Sequence, residues 1–142
     1  MFKPVINATA LALMIGSTVT LAAGDLTSRP QELPDLVLGN DQSDYAMSHK
    51  SYELETGKSY SLKVISSGYK EYAIEAPAFF TSIYLRKVEA GGMEIKATTL
   101  TQLEFEEEGE AEVYFVPIKP GDYPFYAAGL EGKGMVGTFR VR

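Results

Sequence analysis

The sequence predicts an all-β fold: a sandwich of about seven or eight short strands over residues 44–142, built as one domain. Three observations point there. Apolar and polar residues alternate with a period of two in run after run, which is the mark of strands with one wet face. Gly- and Pro-containing turns interrupt these runs about every 8–12 residues. No stretch carries apolar residues at helical spacing over about eleven positions or more.

The elements follow in chain order. Tyr52 and Leu54 alternate with Glu53 and Glu55, and Thr56-Gly57-Lys58 turns the chain. Tyr60, Leu62 and Val64 then alternate with Ser59, Ser61 and Lys63 before Ser66-Ser67-Gly68. Tyr72 to Ile74 reads as a short strand. After the break at Pro77, Phe79, Ile83, Leu85 and Val88 read as a strand with a bend. Met93 to Ala97 is another short run, and Thr98 to Leu103 reads as one helical turn. Leu103-Glu104-Phe105 alternates and leads into Glu106-Glu107-Glu108-Gly109-Glu110, which reads as a solvated hairpin end. Ala111–Val116 and Tyr123–Ala127 flank the Lys119-Pro120-Gly121-Asp122 turn, and Gly134 to Val141 closes the chain. The residues expected in the core are Phe105, Val113, Phe115, Tyr123, Phe125, Val136 and Phe139. The 9 Tyr and 7 Phe of the chain supply much of that buried area.

Ahead of the sandwich lie two different segments. Residues 1–24 read as a secretory signal peptide: Lys3 is the only charge before Asp25, Ala8 to Leu21 is uncharged, and Ala22-Ala23-Gly24 makes a small-residue exit. Asn7, Thr9, Gly16, Ser17, Thr18 and Thr20 dilute it too far for a membrane span, which needs about 20 predominantly apolar residues. The expected location is therefore the periplasm or the exterior, with no membrane span after cleavage. Residues 25–43 are polar and rich in turn signals at Arg29-Pro30, Leu33-Pro34-Asp35 and Gly39-Asn40-Asp41, and read as an arm or strap laid over the domain.

Composition removes several function classes. With 0 Cys there is no disulfide, thiolate metal ligand or cysteine nucleophile. With 1 His, imidazole-rich metal sites and most acid–base triads fall away. A formal net charge of -6 opposes nucleic acid or an anionic membrane as the main partner. No Gly-rich phosphate loop and no convincing carboxylate pair is present, so the chain is not expected to be an enzyme.

Phe115-Val116-Pro117-Ile118-Lys119-Pro120-Gly121-Asp122-Tyr123-Pro124-Phe125-Tyr126 resembles the penultimate strand of cupredoxins, the plastocyanin-like blue-copper proteins. Gly134-Met135-Val136-Gly137-Thr138-Phe139-Arg140-Val141 is similar to their closing strand. Tyr52 to Lys58 is similar to an early strand and turn of secreted cupredoxin-like domains, and Lys70 to Pro77 to the segment carrying their first copper-binding His. The resemblance covers residues 44–142 and implies a Greek-key, cupredoxin-like β-sandwich.

In that family the closing loop presents Cys, then His three positions later, then Met five further on. Matched to Met135, this spacing puts Leu130 in the His position and Ala127 in the Cys position. The segment of the first ligand offers Tyr72 and no His. Blue copper needs two imidazoles and a thiolate, with Met as a weak axial partner. The resemblance therefore implies the fold without the redox centre. Tyr72, Ala127, Leu130 and Met135 are expected to meet at one end of the sandwich, packed as apolar side chains around vacated copper-site positions.

Two functions compete, and a third, blue-copper-type electron transfer, is set aside by the absence of Cys. The first is a partner-binding or accessory module in the periplasm without a cofactor, whose partner is a protein, a component of a copper or redox system being the candidate. Pro77, Ala78, Phe79, Phe80 and Leu130 are its candidate docking patch. The second is a copper carrier using Met47, His49 and Met135, because thioether and imidazole donors suit Cu(I) and residues 47 and 49 share a face if they lie on one strand.

Overall fold

Alternation in the sequence becomes two sheets stacked face to face. The computed structural model describes residues 29–142, so the leader expected at 1–24 lies outside the described residues. Twelve strands occur among them: β1 (Gln31–Glu32), β2 (Leu36–Asn40), β3 (Ser43–Met47), β4 (Ser51–Leu54), β5 (Tyr60–Ser66), β6 (Tyr72–Glu75), β7 (Ile83–Ala90), β8 (Met93–Ile95), β9 (Gln102–Phe105), β10 (Gly109–Pro117), β11 (Gly121–Ala127) and β12 (Val136–Val141). One sheet runs β3-β2-β5-β10-β7-β8, with β1 paired to β5 beside β2. The other runs β4-β12-β11-β6-β9. Most neighbours in these sheets are distant in sequence, as the all-β sandwich expectation requires. Among the described residues no helix is long and apolar enough to cross a membrane.

The strand count exceeds the seven or eight expected, mainly because the presumed strap is part of the sandwich. Leu36, Val37 and Leu38 of β2 pair in parallel with Val64, Ile65 and Ser66, and Leu36 and Leu38 are both fully buried. The strand was hidden by its punctuation: Pro34 precedes it, Gly39 lies within it, and its apolar run, Leu36-Val37-Leu38, is only three residues long. The sandwich thus begins near Gln31 rather than at residue 44.

The core is aromatic. Phe79 stacks on Phe139 at 4.1 Å between centroids and meets Phe115 edge-on at 5.3 Å. Phe125 lies 4.7 Å from Phe139, and Tyr52 stacks on Phe139 at 5.5 Å. Burying such a ring contributes about 1.5–3 kcal/mol, with aromatic pairing adding about 0.5–1.5. Val113, Phe115, Tyr123, Phe125 and Phe139 are buried as expected, and Phe105 is half-buried against the same cluster.

Three expectations change. Val136 is 42% exposed, because β12 alternates and a strand that turns Phe139 and Val141 inward must turn Val136 outward. The helical turn expected at 98–103 is absent. Gln102–Phe105 is instead a strand, with Leu103 opposite Ile74 and Phe105 opposite Tyr72. The helical turn of this region is α1, Pro77–Phe80, where Pro77 opens the helix at the position that tolerates a missing N–H. That turn drives Phe79 and Phe80 inward, so they cannot form the expected surface patch with Pro77, Ala78 and Leu130; only Pro77 and Ala78 of the five are exposed.

On the outer face of the larger sheet, three glutamates stand in one cross-strand row. Glu112 pairs with Glu89, and Glu89 with Glu94. Lys87 bridges Glu89 and Glu94; its hydrogen bond holds the Glu89 carboxyl below its usual range, and hydrogen bonds from Lys96 and then Lys87 do the same for Glu94. Like charges directly opposite one another destabilise a sheet. Glu112→Gln keeps the polar side chain and removes one charge of the row. The expected outcome is a rise in Tm of roughly 1–4 °C at low salt. Thermal melts with added NaCl should show this gain shrinking as screening increases.

Candidate functional site at the closing loop

The end of the sandwich where β11 turns into β12 is built from backbone geometry. Ala127 ends β11 opposite Ile74 of β6, and the Ala128 N–H donates to the Ala73 carbonyl at 2.8 Å. Beyond it the chain makes a 3-10 turn, Glu131–Lys133, which Gly134 ends with a φ of 84°, the left-handed conformation that glycine adopts without strain. The Ala127 N–H donates to the Met135 carbonyl at 3.0 Å, and the Leu130 N–H donates to the Ala127 carbonyl at 2.9 Å. The Met135 N–H reaches the Leu130 carbonyl at 3.4 Å. Ala127, Leu130 and Met135, within nine residues of sequence, are therefore closed into one knot.

The side chains of that knot point into the core. Ala127 and Met135 are both fully buried, and Leu130 packs half-buried against the same cluster. Tyr72 is also fully buried in it, but its hydroxyl donates to the Asp44 carbonyl at 2.8 Å. The hydroxyl thus reaches across to the β2–β3 hairpin of the other sheet. The residue in register with Ala127 is Ile74, on the same face of β6 as Tyr72 and one step closer to the loop.

The remaining candidates stand elsewhere. Met47 ends β3 opposite Leu38 and is half-buried against the core. His49 lies beyond that strand, so strand alternation does not align the two. Its Nδ1 is 3.1 Å from the Asp35 carbonyl and 3.1 Å from Ser48 Oγ, and its ring is 5.8 Å from that of Tyr52. Ser48 ties the same corner together, its hydroxyl donating to the Asp35 carbonyl while accepting from the Val37 N–H. Among the described residues no group of three or more His, Asp or Glu side chains is placed to hold a metal ion.

A copper ion of the blue type does not fit this donor set. The loop offers one thioether, Met135, together with a methyl group at Ala127 and an isobutyl group at Leu130, and the chain has 0 Cys to supply a thiolate. Tyr72 could bring a phenol oxygen only by giving up its bond to Asp44.

Sequence reasoning missed what lies over the knot. Tyr45 of β3 is half-buried beneath two ammonium groups: Lys70 Nζ is 5.5 Å from the ring centroid and Lys133 Nζ is 5.2 Å from it. Lys50 joins them on the rim, its Nζ 3.7 Å from where a Cβ on Gly134 would stand. On the other side of the loop, Tyr126 bonds Glu75 at 3.2 Å. Burial, that bond and the charges of Glu75 and Glu131 raise the Tyr126 phenol above its ordinary value.

No protein-family model and no curated protein matches this sequence. Solved structures do resemble it. A multicopper oxidase from Campylobacter jejuni, described as a metallo-oxidase, superposes with a TM-score of 0.55 at 14% identity over 82% of this chain and 31% of its own. A second multicopper oxidase superposes with a TM-score of 0.57 at 13% identity over 79% of this chain and 44% of its own. The copper nitrite reductase from Nitrosomonas europaea gives a TM-score of 0.51 at 9% identity, covering 63% of this chain and 32% of its own. This chain thus spans less than half the length of each. At these identities the likeness carries the architecture alone, and that architecture is the cupredoxin-like β-sandwich.

Proposed function

We propose that this chain is an exported, non-catalytic protein of the cupredoxin-like fold that has lost the blue-copper centre and serves as a partner-binding or accessory module in the periplasm. The observation that carries this reading is the apolar closure of the loop. Ala127, Leu130 and Met135 are joined by backbone hydrogen bonds and directed into the core, where the resemblance would put Cys, His and Met. A metal-binding loop keeps its donors convergent and supported by a polar outer shell. Here the niche is filled by hydrocarbon, which avoids the cavity that bare loss of ligands would leave. With one imidazole and no thiol in the chain, a polar and acidic surface remains for recognition. The partner is accordingly a protein, with a component of a copper or redox system the first candidate because the fold neighbours are copper enzymes.

The test is copper addition to the purified, fully folded protein, as Cu(II) and separately as Cu(I) under anaerobic conditions. The expected outcome is no intense visible charge-transfer band and less than stoichiometric metal after desalting. Retention of one Cu(I) per chain, lost in Met135→Leu or His49→Ala, would replace this reading with that of a carrier.

A further inference from the structure

We infer that the rim over the closing loop is a docking surface for an acidic segment of a partner protein, gripped by Lys50, Lys70 and Lys133 around the Tyr45 ring. This rests on the partner-binding reading above and gives it a surface and a charge.

The chain carries 13 basic and 19 acidic residues, so a lysine can readily find a carboxylate. Half of the cations among the described residues do. Lys58, Lys63, Lys87, Lys96, Arg140 and Arg142 all form ion pairs. Among the described lysines, Lys50, Lys70, Lys119 and Lys133 form none; Lys119 stands at the β10–β11 turn, and the other three gather at one end of the sandwich. They come from three separate places in the chain: the residue before β4, the residues leading into β6, and the 3-10 turn of the closing loop. Folding has therefore assembled a local positive rim on a protein of net charge -6.

The arrangement is also organised. Two ammonium groups share one tyrosine ring, which holds both near the same spot although they repel each other. Nearby carboxylates have tyrosine partners, and the Tyr126 hydroxyl donates to Glu75. Tyr69 is itself hydrogen-bonded to Asp41. A carboxylate-rich segment laid across Tyr45 would complete the charge of all three lysines and cover the exposed edge of β3, the last strand of its sheet.

The probe is a hexaglutamate peptide titrated into uniformly 15N-labelled full-length protein at low ionic strength. The whole protein repels such a peptide, so only a local rim can hold it. The expected result is amide shift changes centred on Tyr45, Lys50, Lys70 and the 131–134 turn. Apparent affinity should fall about tenfold as salt brings the Debye length below about 10 Å. Lys70→Glu with Lys133→Glu should abolish the shifts, and Lys50→Glu alone, at an exposed position, should weaken them if the double variant does not fold. Lys119→Glu, at the β10–β11 turn on the opposite end, should leave them unchanged. Shifts that are absent, spread over the surface, or centred on Lys119 would overturn the inference. Copper uptake in the previous experiment would instead overturn the non-metal reading and leave these shifts standing, so the two failures are separable.

Discussion

Phe79→Ala is expected to destabilise the protein by about 3–5 kcal/mol. Phe79 is 1% exposed and sits where the two sheets and α1 meet. Its ring touches four others: Phe139 stacked at 4.1 Å, Phe115 edge-on at 5.3 Å, Tyr123 at 5.9 Å and Phe80 at 6.3 Å. Truncation removes the transfer free energy of a whole ring and opens a cavity that its rigid aromatic neighbours cannot collapse into. Urea melts monitored by tyrosine fluorescence should show the midpoint falling with little change in slope, since the surface exposed on unfolding hardly changes. Phe79→Leu, which keeps most of the volume, should lose no more than about half as much. A loss below about 1 kcal/mol for Phe79→Ala would mean that the ring faces solvent, as a docking residue would.

The contrast between that outcome and the sequence reading shows where legibility ends. Alternation placed Phe115, Phe125 and Phe139 inside because each lies in a strand long enough for its parity to be counted. Phe79 and Phe80 are adjacent, and a strand must put one of them out. Only the helical turn begun by Pro77 lets both enter the core, and a turn of four residues leaves almost no periodic signal. Val136 failed the same count from the other side: it was grouped with Phe139, three residues away, which no regular strand can place on one face. Leu36 and Leu38 were obscured by flanking Pro34 and Gly39, although their partner β5 was read correctly.

At the site, the three-and-five spacing of Ala127, Leu130 and Met135 is local, and the hydrogen bonds that join those residues lie within one loop. Tyr72 belongs to the same core, but which residue of β6 faces Ala127 depends on cross-strand register, and that residue is Ile74. Sequence alone fixes such a register weakly. The lysine rim was not legible at all. Residues 45, 50, 70 and 133 become neighbours only when the β2–β3 hairpin of one sheet meets the closing loop of the other.

Gly39→Ala is the second large effect, expected to cost about 3–5 kcal/mol from two separable sources. The first is backbone: Gly39 has a φ of 75°, where a side chain costs about 1–2 kcal/mol. The second is space. A Cβ on Gly39 would stand 2.2 Å from the Tyr72 hydroxyl oxygen and 2.3 Å from Ser67 Oγ, inside any tolerable contact. Tyr72 cannot yield freely, because its ring is fully buried and moving it forfeits the bond to Asp44, a loss of about 1–3 kcal/mol for a buried polar group. Ser67 can yield, because its Oγ is buried without a hydrogen-bond partner among the described residues. Gly57 supplies the control: its φ is 82° and nothing among the described residues lies within 4 Å of its added Cβ, so Gly57→Ala should show the backbone cost alone, about 1–2 kcal/mol. Adding Ser67→Ala to Gly39→Ala should recover part of the loss while costing little by itself, a coupling that a double-mutant cycle reads directly. Equal losses for Gly39→Ala and Gly57→Ala in denaturant melts would mean that the β2–β3 hairpin does not press against Tyr72, and the anchoring of this end of the sandwich through the Tyr72 hydroxyl would fall with it.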